Sequence, residues 1–498
     1  MLFNSINFLI FFPVVTAIYF ILPHKMRWLL LLLASCYFYM AFVPVFILIL
    51  AFTITVDYVA GIYIENAEGK RRKQFLIASI IANVGVLFIF KYFNFANQNI
   101  AALAQFLDWN YTLQGLSLIL PIGLSFHTFQ SLSYTIEVYR GRQKAEKNFG
   151  IFALYVMFYP QLVAGPIERP QNLLHQFYEK HVLDWSRIGG GLELMLYGFF
   201  KKLFIADNLA PFVNQVYDHP ESYNSVSFII ATVFFAFQIY CDFSGYSDIA
   251  IGAARVMGIR LMQNFRQPYF SQSVGEFWRR WHISLSTWFK DYVYIPLGGS
   301  RVDCWRHARN IFITFLLSGI WHGANWTFVV WGILNGLYLG IEVFGKRFTL
   351  RVLPNLHVRE QHIVTLRLLG LLKTIITFIL ISLAWVFFRA KNIGEAWHIV
   401  SQIFTGWGNA ALSMPQPDFY AKYVYMGRSD YDFTWAVTGV IMLLVLEYLT
   451  AHHTFIGRLY NEKRYIRYAL RWLMISTALL FIIVFSKTES QQFIYFQF

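Results

Sequence analysis

The chain has 498 residues, of which 57% are hydrophobic and only 14% charged, with a formal net charge of +14. A soluble domain carries about a quarter charged residues, so this composition excludes a soluble globular enzyme and specifies an integral membrane protein. Nucleic acid does not explain the positive charge, because the basic residues punctuate apolar runs, as cytoplasmic loops do.

The first apolar run, Ile6 to Leu22, follows MLFNS with no basic flank and no small-residue cleavage site after it, which predicts a retained span instead of a cleaved signal peptide. Further runs cover Trp28 to Leu50, Phe75 to Phe95, Leu116 to Tyr134, Val226 to Tyr240, Ile311 to Phe344, Leu366 to Phe388, Trp435 to Leu449 and Leu470 to Phe485. A crossing takes about 20 residues and some runs hold two, so an all-α protein with roughly twelve crossings is expected. Short basic loops set its orientation. His24 to Arg27, Lys70 to Lys73, and the group Arg140, Arg142, Lys144 and Lys147 read as cytoplasmic, and for the first two to share a side Trp28 to Ile64 must cross twice. Arg458, Lys463, Arg464, Arg467 and Arg471 precede the last span, so both termini are expected outside.

Between Arg255 and Arg309, eight arginines and one lysine stand among aromatics, too polar for a simple span. Helical pieces there are expected at the cytoplasmic interface or partway into the bilayer, where protein or a water-filled cavity surrounds the backbone. No repeat at a transporter-half period and no low-complexity tract is visible. The expected organisation has N-terminal membrane helices over 1–110 and a core over 111–345 that includes the basic stretch 255–309. Further helices and loops follow over 346–465, and a last helix with an outward tail over 466–498.

Ionisable groups inside such a chain are expensive and functional by default. In LLSGIWHGANWTFVVWG, Leu316 to Gly332, His322 lies between Trp321 and Trp326, with Gly319 and Gly323 beside it. A neutral imidazole in an apolar passage is a usable general base near pH 7. Trp321 is then a pocket wall and Asn325 a hydrogen-bonding group or oxyanion donor; the plain alternative is a helix-packing histidine. His282, in FWRRWHISLSTWFKDY, reads as catalytic or as a bridge between polar groups of a half-inserted helix. Arg279, Arg280 and Lys290 read as cytoplasmic anchors or as a dock for a phosphate-rich donor. Asp242, Ser244, Tyr246 and Asp248 interrupt a span expected to end near Tyr240, either as a proton or ion path or as a helix-end network around Gly245. The tail ends in six residues, Phe493 to Phe498, that should pack back into the protein, making Tyr495 an interface anchor or a buried hydroxyl. Cys36, Cys241 and Cys304 follow no metal or disulfide spacing, and there is no HExxH, Walker or dinucleotide glycine pattern, so no metal is expected.

Six segments carry a resemblance: GLSFHTFQSLSYTIEVYRG, YPQLVAGPIERP, YGFFKKLFIAD, YCDFSGYSDIAIG, NFRQPYFSQSVGEFWRRWHISLSTWFKDYVYIPLGGSR and SGIWHGANWTFVVWGILNG. In this order, from about Leu2 to Phe498, the chain resembles the membrane-bound O-acyltransferase superfamily, and within it the bacterial alginate O-acetylation branch, whose members also open with MLFNS. The resemblance implies a ring of transmembrane helices, thin at the centre, around a tunnel. It puts the hallmark histidine of the family on His322 and a second, less uniformly required one on His282. It also implies a cytoplasmic acetyl-CoA or other acyl-thioester donor, no permanently bound cofactor, and a periplasmic SGNH-hydrolase-type partner that esterifies a polysaccharide. FIYFQF resembles the tail of relatives in which a tyrosine, here Tyr495, is proposed to receive the acyl group, and the basic flank before Leu470 independently puts Tyr495 outside. The expectation is an inner-membrane O-acetyltransferase serving an exopolysaccharide such as alginate or cellulose, or peptidoglycan, in contact with membrane lipid and not with nucleic acid. Its rivals are D-alanyl transfer to teichoic acid from a carrier protein, and a proton or solute transporter with Asp242, Asp248 and His322 along its path.

Overall fold

The computed structural model describes residues 1–352, 363–451, 464–485, 493 and 494; of 346–352, 363–366, 451, 464–471, 473 and 474 it describes the backbone only. Tyr495, the acyl acceptor expected from the tail, lies outside the described residues. All regular structure among the described residues is helical. Six of these helical stretches are long and apolar enough to cross a membrane: Pro44–Asn66, Gly69–Phe106, Ser225–Met257, Trp326–Gly345, Arg367–Arg389 and Asp430–Thr450. Ile6–Ile21 and Ile475–Phe485 are shorter apolar helices.

The chain forms two compact units, residues 1–198 with 246–263, and residues 199–245 with 264–498. In the first unit, Ser5 caps Ile6–Ile21 by accepting the Phe8 N–H at 3.2 Å. The stretch from Trp28 to Ile64 divides into His24–Met40 and Ile47–Asn66, separated by Pro44, which has no N–H to carry the helix through. Leu116 to Tyr134 does not form one helix. Residues 107–123 are irregular, and Leu124–Tyr139 starts only after Gly123, whose φ of +76° suits glycine and whose absent Cβ would stand 2.7 Å from the Leu162 carbonyl.

The helix expected to end near Tyr240 instead runs unbroken from Ser225 to Met257. Asp242 and Ser244 are helix-interior residues whose side chains meet lysines, so polarity here marks a partner and not a helix end. In the second unit, the basic stretch gives the seven-residue helices Val274–Arg280 and Ile283–Phe289. Each is about 10 Å long, against roughly 30 Å of hydrocarbon, so neither spans. Cys304–His322 and Trp326–Val352 then pair as a hairpin in which two glycines remove the steric limit on approach: a Cβ on Gly332 would lie 2.6 Å from the Phe315 carbonyl, and one on Gly319 would lie 3.1 Å from Gly332 Cα.

Candidate active site

His322 is the last residue of Cys304–His322, and the chain re-enters a helix at Trp326. Nineteen residues at 1.5 Å each set it about 28 Å from the basic loop where the helix starts. Gly323 makes the tight exit possible, because the Phe328 ring occupies the space of any side chain there. The close approach allowed by Gly319 and Gly323 is therefore taken up by the second helix of the hairpin. Asn325 braces the same turn: its amide donates to the Lys391 carbonyl at 2.9 Å and its oxygen accepts the Thr327 N–H at 3.0 Å.

The imidazole is 7% exposed and is framed edge-to-face by three rings, Trp321 at 4.9 Å, Trp331 at 4.9 Å and Phe388 at 5.2 Å. Such a frame fixes the ring plane and keeps bulk water away. Trp326, its other neighbour in sequence, is half-exposed. Trp331 and Phe388 are identified as neighbours only by the fold, since Phe388 belongs to Ile363–Arg389.

His282 is buried and lies between the two short helices in the left-handed region, with φ +44° and ψ +55°. A non-glycine residue held there is uncommon and costs of order 1–3 kcal/mol. Phe243 meets its ring edge-on at 4.6 Å and Phe265 lies parallel at 6.4 Å. Burial pushes this imidazole down to about 3, so it is neutral at physiological pH. Contacts connect the two histidine regions: Trp281, next to His282, packs on Trp385 at 5.1 Å, Trp385 on Trp331 at 6.0 Å, and Trp331 on His322.

Arg280 is paired with Glu276 at 2.5 Å, whereas Arg279 and Lys290 present exposed side chains. Asp242 is 2% exposed; Lys202 Nζ lies 2.8 Å from its Oδ1 and 2.9 Å from Asp207 Oδ1. Lys201 donates to Ser244 at 2.9 Å. Tyr246 falls in the first unit, where its ring stacks on Phe3 at 4.4 Å. The tail packs inward at its described residues: Phe493 and Ile494 are buried, and Ile494 N–H donates to Asp242 Oδ2 at 2.7 Å. Lys201, Lys202 and Asp207 complete this cluster, and the signal for them is two adjacent lysines inside the otherwise apolar YGFFKKLFIAD. Among the described residues no group of His, Cys, Asp and Glu is arranged to hold a metal ion.

Comparison with known proteins adds three likenesses and a family match. The model described as "MBOAT, membrane-bound O-acyltransferase family" matches residues 16–384. A protein named "Probable alginate O-acetylase AlgI" from Pseudomonas aeruginosa is 40% identical over 412 residues, 81% of this chain and 75% of that protein. The peptidoglycan O-acetyltransferase of Helicobacter pylori is 33% identical over 540 residues, spanning 100% of this chain and 98% of its own. A teichoic acid D-alanyltransferase of Streptococcus thermophilus is 30% identical over 240 residues, 45% of this chain and 57% of that protein.

Proposed function

Because the chain belongs to the membrane-bound O-acyltransferase family, and is therefore a multi-pass membrane acyltransferase, we propose that it moves acetyl groups from a cytoplasmic thioester to the far side of the inner membrane for O-acetylation of an extracytoplasmic polysaccharide. Twelve crossings with both termini outside are part of this reading, supported by the basic loops. The observation that carries it is His322, buried in a three-ring frame at the end of the hairpin remote from the basic loop.

The donor is acetyl-CoA or an acyl carrier, with Arg279, Arg280 and Lys290 at its phosphate-bearing end. His322 accepts the proton of an acceptor hydroxyl as that oxygen attacks the thioester carbonyl carbon. The C–O bond forms, the C–S bond breaks, and the leaving thiolate takes the proton from the imidazolium, which restores neutral His322. Tyr495 is the proposed acceptor, and a periplasmic SGNH-type partner then takes the acetyl group to alginate, cellulose or peptidoglycan. His282 supports the core beneath Phe243. The end-to-end match with the peptidoglycan O-acetyltransferase favours acetyl over D-alanyl transfer, whose representative matches less than half of the chain.

Purified protein given acetyl-labelled CoA should retain label, and His322→Ala and Tyr495→Phe should lose it. Full labelling of His322→Ala would end the proposed mechanism, and solute uptake into proteoliposomes without label transfer would favour the transporter.

A further inference from the structure

Two consecutive residues of Ser225–Met257 receive two consecutive residues of the tail. Asp242 takes the Ile494 N–H at 2.7 Å, and Phe243 meets the Phe493 ring at 5.9 Å and 66°. Both tail residues are as buried as the core, at 2% and 1% exposure. Asp242 uses both oxygens: Oδ2 on the tail and Oδ1 on Lys202. Lys202 is in turn held from its other side by Asp207 at 2.9 Å, which stops the ammonium from swinging away.

An ion pair retained only to hold helices together has no need of a chain terminus. Here the carboxylate bridges a lysine and a backbone N–H, and a bond to backbone fixes the path of the chain whatever the side chain at 494. Phe243 also has a second partner, since its ring meets His282 at 4.6 Å.

We propose that Asp242, oriented by Lys202 and Asp207, is a positioning residue that clamps the C-terminal tail through the Ile494 N–H and so presents the acceptor hydroxyl one residue further on. The clamp rests on the reading of Tyr495 as acyl acceptor. Tyr495 follows Ile494 directly, and consecutive Cα atoms are about 3.8 Å apart, so a clamp on Ile494 limits the reach of the acceptor. Asp242 touches neither donor nor reacting atoms in this scheme. Its loss therefore lowers turnover and leaves donor binding alone.

The test uses the full chain in lipid nanodiscs, with two readouts. In the first, carboxypeptidase digestion is followed by mass spectrometry. Wild-type digestion stops at or before Ile494, whereas Asp242→Ala and Lys202→Met are trimmed past it. In the second, with labelled acetyl-CoA, these variants lose on the order of 10²-fold in turnover, the loss typical of a misplaced reacting group, with KM for acetyl-CoA unchanged. The double variant Lys202→Met/Asp242→Asn keeps an acceptor oxygen for Ile494 and removes the carboxylate that Lys202→Met leaves unneutralised at position 242, and it regains protection relative to Lys202→Met. If Asp242→Ala fails to fold, Ile494→Pro decides, because it deletes the N–H and leaves the cluster intact. A folded Asp242→Ala with the tail still protected and turnover at the wild-type level, or an Ile494→Pro with turnover at the wild-type level, overturns the clamp. Loss of protection in these variants of a protein that takes up no label upholds the clamp and removes the acyltransfer reading instead.

Discussion

The hairpin carrying His322 can be perturbed at a point that touches no candidate catalytic group. A Cβ added at Gly332 would lie 2.6 Å from the Phe315 carbonyl oxygen, 3.2 Å from Gly319 Cα and 3.3 Å from Leu316 Cα. All three are backbone atoms of Cys304–His322, so no side chain can swing aside. Reaching ordinary contact at 3.4 Å requires the helices to part by about 0.8 Å, a strain of about 1–3 kcal/mol for overpacking. The shift acts on both sides of the imidazole, since His322 ends one helix and Trp331, next to Gly332, frames it from the other. Misplacing a reacting group by about 1 Å costs on the order of 10²-fold in rate. Gly332→Ala is therefore expected to fold, bind the thioester donor normally and lose turnover by about that factor. Gly340→Ala is the control in the same hairpin, because the nearest atom to its new methyl is Ala308 Cβ at 4.0 Å. Single-turnover acetyl transfer with labelled acetyl-CoA, alongside thermal unfolding, measures both. A folded Gly332→Ala enzyme with wild-type turnover would refute the claim that glycine packing sets the imidazole.

His322→Gln keeps the volume but not the base, and is expected to lose about 10²–10⁴-fold in turnover with donor binding intact; wild-type turnover would rule out general-base catalysis there. Exposed Arg279 and Lys290 are expected to act on donor binding, so Arg279→Ala and Lys290→Ala should each raise KM for acetyl-CoA a few-fold, more at low salt, as suits pairs worth about 0.2–1 kcal/mol; a fall in turnover at constant KM speaks against a dock. Asp57 is buried and accepts from Ser79 at 2.6 Å and Asn83 at 2.8 Å. Asn83→Leu should cost about 1–3 kcal/mol in unfolding assays, and Asp57→Leu/Asn83→Leu should recover part of it. His282 titrates at about 3 in the fold, below its ordinary 6.5, because burial disfavours the charged ring. The unfolded chain is protonated first as pH falls, so this contribution is whole above 6.5 and is lost on acidification towards 3, with a slope of at most about 1.4 kcal/mol per pH unit. Thermal unfolding of His282→Phe should show a weaker dependence on acid than wild type; equal slopes would contradict it.

Membrane character and the all-helical class were legible in the sequence because each depends on local composition, and His322 was legible there as a candidate. An apolar run of span length has few options in lipid, and a histidine between two tryptophans in such a run stands out without any knowledge of neighbours. The basic loops on either side required a break inside Trp28 to Ile64, but its place at Pro44, and the irregular stretch that ends at Gly123, are features of the fold. The tertiary structure decided which groups meet. Trp331 and Phe388 reach His322 only because glycines let one helix in and Ile363–Arg389 supplies the third ring. Asp242 looked like the end of a span because, taken alone, a carboxylate cannot remain in an apolar helix. It remains because Lys202, some forty residues earlier in the chain, neutralises it and the Ile494 N–H caps it. A one-dimensional pattern records how much each group costs to bury, while the partner that offsets the cost is fixed only when distant segments fold onto one another.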